Sequence, residues 1–486
     1  MRRRDVLVLA SGLAAAGVAG RVFGAAMPKP DVVQDIEILQ QALELHPGLL
    51  RYSSAKQIAE RLASLQVEWL AARDLQTRYL ALSRFLAAIR CGHSYCNFFN
   101  QRKAVASELF DRATRLPFHF AWIGDEMIVA RPFDSGLAVG TRVESINGQS
   151  AIALRRSLMP YVRADGGNDA KRVSLLEVRG DDSIETFDVF QGLIAPPTGG
   201  RHRLDVQLPD GQRRSVELPA IALAARRAQM GPEPKQDDAP QWQWTMREDG
   251  VTVLTMPGWA LWNSKWDWKA WLDERLDTLS GARGLVIDIR GNEGGEDCGD
   301  AILARLIDAP FEPPKVEQRI RFQRTPAALD PYLDTWDDSF RTLGEGATPL
   351  ADGFFLRPKS AEALRIEPRG RRLRLPVRVL TSPVNSSATF QFASNMRTLG
   401  AGTLVGQATG GNRRGINGGC FFFVRLPASG IEFDLPLVGY FPTTPQPDAG
   451  LLPDLLVEPT VSDIIEGRDA VLLAAIRSIG MTNNAA

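Results

Sequence analysis

The sequence predicts a multidomain α+β chain, on three observations. Between Val32 and Ile89 apolar residues recur every three or four positions, the spacing of amphipathic helices. After Leu116 the pattern shifts to short strands bounded by turn residues. From Val251 onward strand-like and helix-like stretches alternate, which argues a layered α/β region. At 486 residues, 44% of them hydrophobic, two to four domains with ordinary cores are expected.

Taken in order, Arg2-Arg3-Arg4-Asp5 precedes the apolar run VLVLASGLAAAGVAG and then Gly24-Ala25-Ala26. Residues 1–26 therefore read as a secretory signal, too short to favour a membrane-spanning helix, with cleavage near Ala26. Arg3-Arg4-Asp5-Val6-Leu7 resembles a twin-arginine export signal without its usual preceding Ser or Thr. A periplasmic or secreted bacterial protein is expected, with no stable membrane span once the signal is removed. The chain has 57 basic and 57 acidic residues; removing residues 1–26 takes away four Arg and one Asp, leaving about −3. No basic field for nucleic acid exists.

Residues 27–112 read as a helical domain, with helices over 32–49 and 55–89 broken at Pro47-Gly48. Residues 113–222 read as a β domain. Its strands are FHFAWIG, EMIVARPF, TRVESING, RLDVQL and RSVELP, the last two joined at Pro209-Asp210-Gly211, with a helical insertion near 152–185. A polar linker, 223–241, leads to an α/β domain over 242–486. Seven of the ten tryptophans fall between Trp242 and Trp271; Trp266, Trp268 and Trp271 lie on a helix-like stretch and are expected to pack against neighbours. The stretch 311–372, rich in Pro and Arg, is expected to form a lid or an interaction surface.

Chemistry concentrates in two segments. In GLVIDIRGNEGG (Gly284 to Gly295), the apolar run Leu285-Val286-Ile287 suits a strand covered on both faces, and Gly294-Gly295 follows its exit. Glycines there bring bare backbone N–H groups close to a ligand, an arrangement suited to an oxyanion or a carboxylate; a tight strand-to-helix turn would need the same residues. The second segment, Leu375 to Gly419, reads strand, turn, helix, strand, glycine-rich loop. Ser386 and Ser387 sit at the start of its helix, near Ala388 to Leu399, with Gly400 as stop. A serine there serves as an N-cap or as a nucleophile assisted by the helix dipole and the Ala388 N–H.

Together the segments resemble the carboxy-terminal-processing, or tail-specific, serine peptidase family, in particular its tricorn-core-like branch. The motif residues are Asp288, Arg290, Asn292, Gly294 and Gly295, then Ser387, then Gly406, Thr409 and Gly411. The resemblance implies a ClpP/crotonase-like α/β catalytic domain, peptide or protein substrates, no cofactor and no metal. Family members place the nucleophile directly before two small residues, here Ala388 and Thr389, which favours Ser387 over Ser386. Ala388, Gly294 and Gly295 would supply the oxyanion site.

Two positions depart from the family. Phe390 stands where a Glu is common, and Asn412 stands where the Ser-Lys branch has its lysine, followed by Arg413 and Arg414. A guanidinium stays protonated and cannot act as a base. The tricorn-like branch uses histidine, and Gly92-His93-Ser94 resembles its Gly-His-Ser element; His93 is the implied base among four histidines. His46-Pro47 also recurs in the family and is expected to be structural. Gly450-Leu451-Leu452-Pro453-Asp454 matches a C-terminal family element; no Glu stands just upstream, which leaves Asp448 as the candidate to orient His93.

Cys91, His93 and Cys96 also place three potential metal ligands within six residues, without the fourth ligand or paired spacing of a zinc site. In an oxidising compartment disulfides Cys91–Cys96 and Cys298–Cys420 are the preferred pairing of the three possible. Residues Ser135 to Gly148 resemble the core of a PDZ domain, a module that holds an extended peptide by edge-strand addition, with Gly136, Leu137 and Gly140 as implied substrate contacts. The expected function is an exported serine endopeptidase with PDZ-like substrate capture and a Ser387–His93 mechanism. The alternative is a lapsed member that binds peptides or apolar ligands without cutting them. The oligomeric state is left open.

Overall fold

The computed structural model describes residues 31–230, 238–358 and 364–482, so the expected export signal lies outside the described residues. By compactness the chain divides into two units. One comprises residues up to Asp111 with Glu317–Ala361 and Asn417–Phe441; the other comprises Arg112–Val316, Glu362–Ile416 and the chain from Pro442. Two segments that fall within the α/β region in sequence thus group with the N-terminal helices.

In the first unit, helices span Val32–Glu44, Ala55–Ala71, Leu75–Ala88 and Lys103–Phe110. Asp31, Ser54 and Asp74 accept the free N–H groups at the first three helix starts, and Ser54 forms a reciprocal box with Gln57. The single helix expected over 55–89 is two, because Ala72 turns extended (ψ 129°) and Asp74 caps a new start. A six-stranded sheet completes the unit, in the order Leu333–Asp334, Asn417–Arg425, Glu432–Pro442, Val316–Ile320, Phe355–Leu356, Thr348–Pro349. The 311–372 stretch thus contributes four short strands to this sheet, joined by turns and loops.

The second unit holds two sheets. The antiparallel one runs His119–Ile123, Glu126–Arg131, Arg142–Ile146, Arg201–Gln207, Arg213–Pro219, with helices Ala151–Leu158, Asp169–Leu175 and Thr186–Ile194 inserted after Gln149–Ser150. The inserted helices run on to Ile194, past the 152–185 range expected for the insertion. The other sheet has the order Leu455–Leu456, Thr403–Gly406, Val377–Thr381, Gly284–Asp288, Val251–Thr255, Gln243–Met246, parallel except at its last pair.

Strand alternation sends Leu254, Leu285, Ile287, Val377, Val379 and Leu404 into the core under helices Trp268–Asp277, Gly299–Leu306 and Ser387–Leu399. Val251, Val253, Val286, Leu380 and Val405 face the other way, against Val471, Ala475 and Ile479 of the closing helix Ala470–Thr482. Cover on both faces accounts for the continuous apolar runs. Trp242 packs edge-on against Trp266 and Trp271, so this tryptophan cluster is core. Leu285 pairs Val377 and Asp288 pairs Leu380, so two neighbouring parallel strands end side by side, and both site segments leave from those ends.

Candidate active site

The turn after Asp288 is built by side chains that tie down backbone. Arg290 pairs with Asp288 at 2.7 Å and with Asp469 at 2.6 Å, fixing the exit of the strand. Asn292, fully buried, donates to the Met256 carbonyl at 2.8 Å, and its Oδ1 accepts the Gly294 N–H at 2.9 Å. Asn385 donates to the carbonyls of Ile289 (2.6 Å) and Asn292 (3.1 Å), and its own carbonyl accepts the N–H groups of Gly410 and Gly411. Turn, elbow and glycine-rich loop are therefore clamped together by two asparagines.

Ser387 stands at φ +53°, a left-handed conformation uncommon for a non-glycine residue, at the start of its helix. A Cβ on Gly294 (φ +107°) would lie 2.8 Å from Ser387 Cβ and 2.9 Å from the Ala388 nitrogen; one on Gly295 (φ +142°) would lie 2.2 Å from the Trp259 backbone. Both positions therefore require glycine. The two glycines differ as donors. The Gly294 N–H is committed to Asn292, which takes it out of the expected oxyanion site, whereas the N–H groups of Gly295 and Ala388 have no hydrogen-bond acceptor among the described residues.

Ser386 is 2% exposed and its hydroxyl is occupied: it accepts from Lys171 Nζ at 2.7 Å and donates to the Glu293 carbonyl at 3.2 Å. Ser387 is half-buried, so of the two serines it is the accessible one. Lys171 carries no sequence signal, since the insertion that bears it lies 215 positions away. Asp448 accepts from Asn412 Nδ2 at 2.7 Å and from the Gly167 N–H at 3.0 Å, so in this unit it fastens the glycine-rich loop to the 165–168 loop.

His93 belongs to the first unit, in a loop held at several points. His46 Nδ1 accepts the Gly48 N–H at 3.0 Å, which puts the proton on Nε2, and Nε2–H donates to Ser94 Oγ at 2.8 Å. Burial, with Arg51 nearby, pushes His46 down to about 3, so it is neutral. Tyr79 Oη donates to the Cys96 carbonyl at 2.8 Å, and the Asp434 N–H to the Tyr95 carbonyl at 3.1 Å. The His93 ring lies 5.8 Å from the Phe421 ring, beside Gly418. His46, His119 and His202 are 2%, 1% and 0% exposed, and only His93 among the four is partly open to solvent.

The expected disulfides are absent: all four cysteines are buried free thiols. Cys91 Sγ accepts from Asn417 Nδ2 at 3.4 Å, while burial pushes the Cys96 thiol up to about 12. In the antiparallel module the Gly140 N–H is used by the Val129 carbonyl (2.9 Å), and a Cβ there would strike Ile465 at 2.3 Å. The Leu137 N–H points to Ser135 Oγ at 3.4 Å, and the Gly136 carbonyl accepts from Arg214.

A parallel sheet covered on both faces, with a strained serine and a glycine turn at adjacent strand ends, defines an α/β domain with a serine-centred polar site. Residues 250–418 match the model of Peptidase family S41; this segment is a peptidase S41 domain, and the chain is by class a serine peptidase. No curated protein sequence matches. Among solved structures, mature CPAF complexed with lactacystin is similar at 17% identity and a TM-score of 0.62, over 93% of this chain and 98% of that one. Mature CPAF alone is similar at 17% identity and a TM-score of 0.58, over 89% and 94%. At such identity the likeness is one of fold.

Proposed function

We propose that the protein is an exported serine endopeptidase in which Ser387 attacks a peptide carbonyl. His93 accepts the Ser387 proton and returns it to the leaving amine; water, deprotonated by the same imidazole, then releases the acyl group. The N–H groups of Ala388 and Gly295 hold the oxyanion, in place of the Gly294 N–H. The observation that carries this reading is Ser387 itself: half-buried, at φ +53°, packed onto Gly294 with two unspent N–H donors beside it. His93 is supported as base by its partial exposure, in contrast to the three buried histidines. Peptide capture falls to edge-strand addition on the antiparallel, PDZ-like module, since the Gly140 N–H is already used.

Ser387→Ala is expected to cut peptide hydrolysis by about 10⁴-fold or more. A fluorophosphonate probe should label Ser387 in the wild type and fail in that variant. Hydrolysis at the wild-type rate in Ser387→Ala sinks the assignment. A folded wild type that the probe leaves unlabelled, yet that binds peptides, favours the lapsed binder suggested by Phe390 and Asn412.

A further inference from the structure

Lys171 lies on the inserted helix Asp169–Leu175 with its side chain 1% exposed. Its ammonium donates to Ser386 Oγ at 2.7 Å and stands 3.9 Å from a Glu293 carboxylate oxygen, which Arg163 also holds at 2.7 Å. The Ser386 hydroxyl passes its own proton toward the Glu293 carbonyl at 3.2 Å. That carbonyl heads the peptide whose nitrogen is Gly294, and the Gly294 N–H is gripped by Asn292 Oδ1 at 2.9 Å. One peptide plane is thus held at both ends, and the next N–H in the chain is the unspent donor of Gly295. Room for the lysine stem is made at Gly410, where a Cβ would meet Lys171 Cδ at 2.9 Å and the Pro383 carbonyl at 1.9 Å.

Burying an ammonium costs free energy that an apolar side chain would avoid. Burial pushes the Lys171 amine down, with Glu293 opposing that shift and Arg163 adding to it. An apolar residue of similar volume would fill the same space between the inserted helix and the elbow, but it would leave the Ser386 hydroxyl without its donor and free to rotate.

We propose that Lys171 is a positioning residue for peptide hydrolysis: through the Ser386 hydroxyl it locks the 293–294 peptide so that the Gly295 N–H faces the oxyanion that forms at Ser387. This rests on the peptidase reading above. Lys171 touches no substrate and takes no proton in the reaction. Its effect falls on the barrier to acyl transfer, and substrate binding is left nearly intact.

The test uses the full chain carrying Lys171→Met, Lys171→Ala or Ser386→Ala, with kcat, KM and the rate of fluorophosphonate labelling at Ser387 as readouts. Each variant is expected to lose about 10²–10³-fold in kcat and in labelling rate, the scale of one misplaced oxyanion donor, with KM within about twofold. Ethylamine should restore at least about tenfold to Lys171→Ala, and Lys171→Ala with Ser386→Ala should be no slower than either alone, because both cut one chain. Wild-type labelling in Lys171→Met, additive losses in the double variant, or a rise in KM without amine rescue overturns the proposal. Should the lysine variants not fold, Ser386→Ala decides alone, and wild-type turnover in it is fatal. A wild type that is not labelled at Ser387 brings down the peptidase reading itself; a labelled wild type matched by Lys171→Met brings down only the role of Lys171.

Discussion

Holding a serine at φ +53° costs about 1–3 kcal/mol, and such a conformation persists only where its surroundings over-determine it. Here Asn385 and Thr389 do so, the latter donating to the Asn292 carbonyl at 3.0 Å. Gly294 is the complementary half, and two alanine variants separate contact from backbone strain. Gly291 also has a positive φ, +79°, but a Cβ there meets nothing within 4 Å. Gly291→Ala is therefore expected to lose about 1 kcal/mol of stability and keep Ser387 labelling near the wild-type rate. Gly294→Ala, with its Cβ 2.8 Å from Ser387 Cβ, is expected to lose labelling by at least about 10²-fold. Equal labelling of the two would refute the close-approach role. The glycine pair and the elbow serine were legible because strand, turn and helix signals are local. Lys171 was not, since its contact with Ser386 joins segments 215 positions apart, and the capture of the Gly294 N–H by Asn292 was not, since the motif alone does not say which way the amide side chain turns.

Between helices, short polar contacts decide what stays put. The break at Ala72 was missed because Asp74, a capping residue, sits inside an otherwise helical period; the disulfide expectation failed because flanking a site segment in sequence does not bring two thiols together. His46 illustrates the same point in the loop that carries His93. Its folded value of about 3 lies below the ordinary 6.5, so unfolding takes up a proton once the pH falls below 6.5. Stability conferred by the neutral ring is complete above 6.5 and is lost progressively as the pH drops toward 3, by up to about 1.4 kcal/mol per pH unit. His46→Gln cannot titrate. Its urea midpoint should therefore fall less steeply than that of the wild type between pH 6.5 and 4, the other buried histidines being common to both. Parallel midpoint curves would show that His46 is not held neutral.

Over the whole chain, the layered α/β region was legible from alternating buried runs, and its parallel order follows from cover on both faces. The sequence also suggested a self-contained helical domain over 27–112, whereas the compact unit draws residues 317–361 and 417–441 to those helices. Long-range pairing leaves no periodic trace, so no pattern along the chain announces it. The helices need these segments for their polar groups as well as for apolar cover. Asp35, with 0% exposure, accepts the N–H groups of Ala428 at 2.7 Å and Ser429 at 3.0 Å, and Gln101 exchanges hydrogen bonds with the Glu432 backbone at 2.6 and 3.0 Å. Removing one side of such a contact leaves a buried group unsatisfied, at about 1–3 kcal/mol each and more for a charge. A fragment comprising residues 31–111 should therefore retain helical circular dichroism yet melt without a cooperative transition, with amide protection below that of the same helices in the full chain. A sharp thermal transition and full-chain protection in the isolated fragment would show instead that the helices form a domain of their own and that the sheet merely docks on it.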